Sequence, residues 1–411
     1  MKIVLSTLPT EGQFVNWTTS KDFIKEPDVV KYMPLGLLSL ASNIEQEVVI
    51  LDPPSMGWDI EETIGKIGEQ EPDVLGLSAV TRRAYALKRI LGEVDVPYIA
   101  VGGPHATHYA DTVLRQGANS VFIGQLADKE FSLIGSKPEG KVYCSSDIND
   151  INFPDRTLVN FEDYFFDGKV LFEAEKRMPM FSSVGCPNHC RFCNVQSKKV
   201  QFKDPKIVAD EMEALHGLGS GSVHVLDDNF NVRSSHLEGI LSELERRNMQ
   251  TEWSGRGQVR MDFGLVDRMK ATGFRRIHAG LEALDDEILR YFNKPQKVEH
   301  IERFCAEMNR RDIDVLAYFI TGSPVETPEY LRELPNRIRD LGITIPWFNI
   351  LFPEPNTAYY EGLLGKEYSK DHWAEFMENP TPDYEIPYPY ANKEKALETN
   401  ARLTEEFKCK S

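Results

Sequence analysis

The sequence predicts an α/β chain with two parallel sheets in series, first an open, doubly wound sheet and then a partial barrel of six strand–helix repeats. Three observations predict it. Short β-branched runs alternate with amphipathic helical patterns over residues 1–135. Turn chemistry fills residues 136–178, a linker with room for a small hairpin. A second alternating series occupies residues 179–355, and an irregular extension closes the chain over 356–411. Alternation with short loops builds parallel sheets. At roughly 150 residues per domain, a chain of 411 residues exceeds a single core.

In the first series the strand candidates are Lys2–Leu5, Glu47–Leu51, Val74–Ser78, Tyr98–Val101 and Ser120–Ile123. Helical patterns at Pro34–Ser42, Ile60–Gly68 and Tyr85–Leu91 lie between them, a Rossmann-like order. Ligands of such sheets bind at the carboxyl ends of the strands. The linker reads "SKPEGK", "SSDIND" and "FPDRT". The second series has strand candidates Met180–Ser183, Ser222–Leu226, Glu252–Gly255, Arg276–Gly280, Asp314–Ile320 and Pro346–Leu351. Its helix candidates are Pro205–Leu215, Ser235–Asn248, Leu265–Ala271, Asp286–Phe292, Val298–Arg310 and Pro328–Asp340. Six repeats make a partial (β/α)6 TIM-type barrel rather than the full eight. A last helix is expected at Glu394–Phe407.

Composition bounds the function. The net charge of −17 and the lack of a dense Lys/Arg block disfavour nucleic acid as the main partner. No apolar run reaches the ~18 residues of a membrane span. The opening MKIVLSTLPT reads as a strand and its loop rather than a signal peptide. Cys144, Cys305 and Cys409 are scattered and form no disulfide framework. A cytoplasmic protein with free thiols is expected.

The other three cysteines stand together in "VGCPNHCRFCNV": Cys186, Cys190 and Cys193, spaced C-x-x-x-C-x-x-C. Structural zinc wants four ligands, and no second cysteine pair exists; His189, beside Cys190, is badly placed to be the fourth. An iron–sulfur cluster fits better. A 4Fe–4S cluster normally takes four thiolates, and three would leave one iron open to a small molecule.

This loop, set after the first strand of a βα partial barrel, resembles that of the radical S-adenosylmethionine (SAM) superfamily, including the aromatic Phe192 before the last cysteine. The resemblance implies that the open iron chelates SAM and that an electron from the cluster cleaves it to a 5′-deoxyadenosyl radical, which abstracts hydrogen from a substrate. Further motifs match strand by strand. "VHVLDDNF" resembles the second-strand end and implies Asp227 and Asp228 near the methionine moiety and the substrate, although such residues also serve as N-caps or turn residues. "EWSGRGQVRMD" resembles the third strand, where Arg256 or Arg260 would reach a carboxylate. "IHAGLEALDDEIL" matches the fourth, with Glu282 near the ribose, and Lys294 in "YFNKPQ" fits the usual "NK". "FITGSPVETPEYL" resembles the fifth, where Gly322 permits close approach to the nucleoside and Pro324 and Glu326 shape the turn. "FNILFPEPNT" resembles the sixth, with Asn356 where relatives often carry Gly.

The first domain also carries a resemblance. "YMPLGLLSLAS", "PDVLGLSAVT" and "VGGPHAT" are similar to the N-terminal domain of cobalamin-binding radical SAM enzymes. It implies that Gly102 and Gly103 let the backbone approach a corrin, that Ser78 and Thr81 bond its amides or nucleotide tail, and that His105 is a candidate near cobalt. Tight βα turns also favour such glycines. The chain departs from the family in reading "GQLADKE" after the fifth strand, and it lacks the D-x-H-x-x-G motif.

The expected activity is therefore reductive SAM cleavage at a 4Fe–4S cluster, with cobalamin-dependent methylation of an unactivated carbon of a small molecule. The alternative is a radical SAM enzyme without cobalamin that performs dehydration, epimerisation, cyclisation or rearrangement. Transfer-RNA methylthiotransferases share the cysteine spacing but carry N-terminal cysteines and a basic tail; residues 1–143 here hold no cysteine. An electron donor such as flavodoxin or ferredoxin is implied, with neither nucleic acid nor membrane as a partner. Tyr359, Tyr360, Trp373, Tyr384, Tyr388 and Tyr390 are candidates to line the substrate or simply to pack.

Overall fold

A computed structural model describes residues 1–13, 32–124, 132–164, 177–195, 197–343, 345–390 and 393–407. The loop 125–130 and Cys409 singled out above lie outside them. The chain divides into two compact units.

The first unit holds the described residues up to 164 together with Asp371–Pro387. Its sheet has strands β1 (Lys2–Ser6), β2 (Glu47–Leu51), β3 (Val74–Ser78), β4 (Ile99–Gly102), β5 (Ser120–Ile123) and β6 (Gly140–Tyr143). The order is β2-β1-β3-β4-β5-β6, and each neighbouring pair is parallel. The order reverses direction at β1, flanked by β2 and β3, and a doubly wound sheet forms its ligand crevice at such a point. Both faces are apolar and covered. Val4, Leu75, Leu77, Val101 and Val121 belong to one buried cluster, Ile3, Leu5, Val74, Ala100 and Phe122 to the other. Helix Ile60–Glu69 starts on a capping box in which Asp59 and Glu62 satisfy each other's backbone N–H.

The linker expectation needs correction. Residues 136–178 include β6, a sixth strand parallel to β5, and several 3-10 turns. Its short apolar pattern, GKVY, is an edge strand with alternating exposure, which turn-rich flanks conceal in the sequence. Beyond it, the Tyr164 hydroxyl donates to Asp52 Oδ2 at 2.9 Å, and the Thr7 hydroxyl donates to the other oxygen at 2.5 Å.

Asp371–Pro387 also packs into this unit. Helix His372–Glu378 buries Trp373 and Phe376, Arg115 pairs with Glu378 at 2.8 Å, and Lys88 donates to Asn379 Oδ1 at 3.1 Å.

The second unit contains the other described residues from 177 to 370 and from Tyr388 onward. Its sheet holds β7 (Arg177–Met180), β10 (Ser222–Val225), β11 (Trp253–Gly257), β12 (Phe274–Glu282), β13 (Asp314–Thr321) and β14 (Ile345–Ile350). All neighbours in the order β14-β13-β12-β11-β10-β7 are parallel. Strands β8 (Ser183–Val184) and β9 (Gln201–Phe202) form a separate antiparallel pair. The expected first strand, Met180–Ser183, is displaced: β7 starts at Arg177, and Ser182 and Ser183 lie past its end. A proline at position 179 hid the strand start in the sequence.

The helices form at the expected places, several on side-chain caps. Asp204, Asp285 and Thr327 each accept from a backbone N–H in the first turn of the helices Pro205–Gly217, Asp286–Tyr291 and Pro328–Asp340. Among the described residues no helix is long and apolar enough to cross a membrane.

A buried ion pair ties the first of these helices to the strand side. Lys203 Nζ lies 2.7 Å from Glu211 Oε2, with side chains 8% and 1% exposed. The Lys203 amide donates to the Ser182 carbonyl, and the Lys203 carbonyl bonds His236 Nε2. Glu211→Ala would leave a buried ammonium and is expected to cost about 3–5 kcal/mol. The double variant Lys203→Met/Glu211→Leu should recover most of it; urea unfolding of the two proteins is the check.

Candidate functional site

The cysteine loop hangs from the end of β7. Pairing of Ser183 with Phe202 and of Val184 with Gln201 closes its base. Gly185 takes φ +92, and a Cβ there would sit 2.6 Å from the Lys199 carbonyl oxygen, so only glycine passes. The Cys186 amide donates to the Ser197 carbonyl at 3.0 Å, and the Cys193 amide to the Cys190 carbonyl at 3.2 Å.

Two adjacent carboxylates hold this loop from the end of β10. Asp227 is 0% exposed and accepts from the Ser182 amide at 2.7 Å, the Ser182 hydroxyl at 2.5 Å and the Ser183 hydroxyl at 2.6 Å. Burial pushes its carboxyl up, against the pull of those hydrogen bonds. Asp228, on the opposite side of the chain, is exposed and accepts from the Gly185 amide at 3.0 Å. The Asp227 oxygens are engaged by the two serines, and through them the residue positions the loop.

The far side of the loop rests on the segment after helix Asp286–Tyr291. The Arg191 amide donates to the Phe292 carbonyl at 2.9 Å, and Asn293 Nδ2 donates to the His189 carbonyl at 2.7 Å. Phe192 packs edge-on to Phe292 with centroids 5.4 Å apart, so this aromatic braces the loop. The Arg191 carbonyl accepts from the Tyr359 amide at 2.8 Å.

The three thiols are unpaired and partly buried. Burial pushes the Cys190 thiol up to about 11, with Lys294 opposing and Glu282 adding to the shift. Among the described residues no three His, Cys, Asp or Glu side chains stand at the spacing of ligands to one metal ion. Three soft thiol donors on one short loop have the chemistry that holds an iron–sulfur cluster.

Glu282 ends β12 at a register shift, with φ +63. It is buried and accepts from Lys294 Nζ at 2.8 Å. Burial works to lower the Lys294 pKa, but Glu282 and Cys190 outweigh it and hold the ammonium charged. The matching "NK" residue is thus the partner of Glu282. Arg256 lies partly exposed on β11; Arg260, exposed, donates to the Pro295 carbonyl.

At the end of β13, Gly322 turns the chain with φ +84, and its carbonyl accepts from the Tyr388 hydroxyl at 3.0 Å. Glu326 Oε2 accepts from the Gly322 amide at 2.9 Å, while buried Oε1 has no partner. Pro324 is exposed. After β14, Asn356 takes φ +59, the left-handed conformation open to glycine and asparagine, which accounts for that exchange. Tyr390 shares hydrogen bonds with Tyr291 and Tyr359; Tyr384 donates to the His372 carbonyl. Tyr360 is buried.

In the first unit Ser78, Thr81, Gly102, Gly103 and His105 stand at the carboxyl end of the sheet. Gly103, φ +93, is required by the fold: a Cβ would lie 2.7 Å from the Ala79 carbonyl oxygen. Gly102 has room, its Cβ meeting only Phe122 at 3.8 Å. The geometry therefore does not need a cofactor to explain either glycine. His105 is different. It is 1% exposed, and neither ring nitrogen has a hydrogen-bond partner. Burial, with His108 nearby, pushes it down to about 4. An unpartnered buried imidazole at the ligand end of a doubly wound sheet fits a polar group supplied from outside.

Residues 180–338 match the family model of the Radical SAM superfamily. That segment is a radical SAM domain. The chain is an enzyme that carries this domain. It is 24% identical over 395 residues to an uncharacterized methyltransferase of Pyrococcus horikoshii, covering 88% of this chain and 83% of that one. It is 23% identical over 351 residues to a bacteriochlorophyllide d C-12(1)-methyltransferase of Chlorobaculum tepidum, covering 80% and 74%. The fold resembles that of the radical SAM methyltransferase TsrM from Kitasatospora setae, solved with cobalamin and a [4Fe–4S] cluster bound. The TM-score is 0.63 at 16% identity, over 87% of this chain and 76% of that one.

Sequence reasoning missed the hydroxyls of Ser182 and Ser183. It also missed a polar layer on the radical SAM sheet, His224, Ser254, His278 and Tyr318, whose signal is a polar residue at every second place in otherwise apolar strands.

Two predictions follow from this geometry. Asp227→Ala would leave two hydroxyls and an amide without their acceptor, and reconstituted iron per chain should fall at least several-fold relative to wild type. Burial holds the Glu326 carboxyl at about 7 against its ordinary 4.5. The folded state thus favours the proton, so this contribution is full below pH ~4.5 and is lost as pH rises through 7. Urea unfolding at pH 5 and pH 8 should show a loss of up to about 3 kcal/mol in wild type that Glu326→Gln removes.

Proposed function

We propose that the chain is a cobalamin-dependent radical SAM methyltransferase that acts on an unactivated carbon of a small molecule. The observation that carries the reading is the pinned loop presenting three unpaired thiols at the end of β7. Likeness to methyltransferases over 88% and 80% of the chain supports methyl transfer and extends to the first unit. TsrM, solved with tryptophan substrate and a SAM analogue bound, supports a small molecule as the acceptor.

Cys186, Cys190 and Cys193 would hold three irons of the cluster and leave the fourth to SAM. When bound, the cluster supplies the electron that cleaves SAM, and cobalamin supplies the methyl group. The chain's own residues prepare both places. Asp227 and Asp228 fix the loop; Glu282 keeps Lys294 charged beside Cys190. The partnerless oxygen of Glu326 offers an acceptor, or when protonated a donor, to the nucleoside. His105 offers an imidazole nitrogen to the cobalamin side. A low-potential donor such as a flavodoxin or ferredoxin would deliver the electron, in the cytoplasm. The charge of −17 argues against a nucleic-acid substrate.

A second reading has a specific observation behind it. Ala79 alone explains Gly103, so the first unit is compatible with a sheet that binds no corrin. The same cleavage would then drive dehydration, epimerisation, cyclisation or rearrangement.

Anaerobic purification with cobalamin supplied, followed by iron and sulfide reconstitution, separates the two. About four irons and one cobalt per chain is the expected result; four irons without cobalt would move the assignment to the second reading. Cys190→Ala protein should lack the cluster absorbance and form no 5′-deoxyadenosine, and normal 5′-deoxyadenosine formation by it would overturn both.

A further inference from the structure

The sheet of the second unit has one apolar and one polar face. Val223, Val225, Ile277, Ala279, Val315 and Ala317 lie on the first, each no more than 3% exposed. The alternate positions carry His224 on β10, Ser254 and Arg256 on β11, His278 on β12 and Tyr318 on β13. Ser254, Arg256 and Tyr318 are partly exposed although they sit mid-sheet, so accessible surface reaches this face.

The two histidines are built alike. His224 Nδ1 lies 2.8 Å from the Ser254 hydroxyl, and His278 Nδ1 lies 3.3 Å from the Tyr318 hydroxyl. Their ring centroids are 4.6 Å apart. They are 0% and 4% exposed, and Nε2 of each has no hydrogen-bond partner. Leaving a buried polar atom unpaired costs about 1–3 kcal/mol, and here two adjacent rings each carry one. The charge around them is positive. Burial, then Arg177, pushes both imidazoles well below their usual range, and Arg256 adds to it. Asp314 is already engaged by Arg276 at 2.9 Å. In the tautomer that accepts at Nδ1 from the Ser254 and Tyr318 hydroxyls, each neutral ring presents an N–H at Nε2.

We propose that this layer is the carboxylate subsite of the substrate: His224 and His278 donate through Nε2–H to one carboxylate, and Arg256 supplies the countercharge. This rests on the function proposed above and names its substrate class, a small carboxylic acid. A carboxylate accepts several hydrogen bonds and gains most from charged donors, so it satisfies both orphaned atoms at once. SAM also carries a carboxylate, and the test must separate the two sources.

The test uses full-length, cluster-reconstituted protein labelled with ¹⁵N-histidine. Imidazole ¹⁵N shifts are assigned with His224→Gln and His278→Gln and followed during titration with acetate, then with the neutral isostere acetamide, each with saturating SAM. The expected result is a saturable acetate shift at both rings, none with acetamide, and acetate affinity weakened about tenfold or more in Arg256→Gln. Absence of an acetate response in wild type that still cleaves SAM overturns the subsite and leaves the function standing. Movement of both rings by SAM alone, with the acetate response abolished, gives the subsite to SAM and overturns the substrate assignment. The titration needs only wild type and Arg256→Gln should either histidine variant misfold. Wild type that binds acetate but does not cleave SAM would sink the functional reading instead.

Discussion

Burying a carboxylate completely is costly unless every lone pair finds a donor, and Asp227 meets that condition through Ser182 and Ser183 alone. The rest of the site depends on that bond set. It fixes the two residues between β7 and the cysteine loop, so it fixes the direction in which the loop leaves the sheet. Because successive side chains on an extended chain point opposite ways, Asp228 faces the other side and takes the Gly185 amide. One strand end thus grips another at consecutive points. The three thiols inherit their placement from this grip and from Phe292 behind them, not from interactions of their own.

A filled TIM barrel packs branched apolar residues in its interior. The six-strand sheet here does the reverse on one face. The polar atoms of that face need partners, and part of the need is met internally: Arg276 by Asp314 and the histidines' Nδ1 atoms by hydroxyls. Past the end of β12, Lys294 is met by Glu282. Its charge would be ruinous if unpaired at that depth, and Glu282 must leave regular strand geometry, φ +63 at a register shift, to meet it. The backbone distortion and the ion pair are one feature.

Much of this was legible in the residue string, for identifiable reasons. A strand such as Val74–Ser78 announces itself because both faces of a parallel sheet are covered there and the run is largely apolar. The cysteine triad is legible because its spacing is local in the sequence. What stayed hidden depends on direction or on partners remote in sequence. Asp227 and Asp228 are the same residue type, and only the fold says that one grips the loop from the interior and the other from an exposed position. Gly103 looks like a ligand-approach glycine until Ala79 is brought against it. His224 and His278 are separated by two strands' worth of chain, and nothing local marks them as neighbours. β6 and the start of β7 were missed because turn residues and Pro179 mask short strands.

The return of Asp371–Pro387 to the first unit has a consequence for how the protein is made. Helix His372–Glu378 buries Trp373 and Phe376 there, and its end is held by Arg115 and Lys88. These contacts close a loop of more than two hundred residues, which includes the whole radical SAM domain. Such closure carries an entropic cost that grows only slowly with length, yet it cannot occur until the ribosome has passed that point. An emerging first sheet would wait, with its docking surface for Trp373 open, while the second unit is synthesised. A single cut anywhere in the middle of the chain would strand one unit's residues with the other, so swapping either unit between relatives requires three junctions among the described residues rather than one.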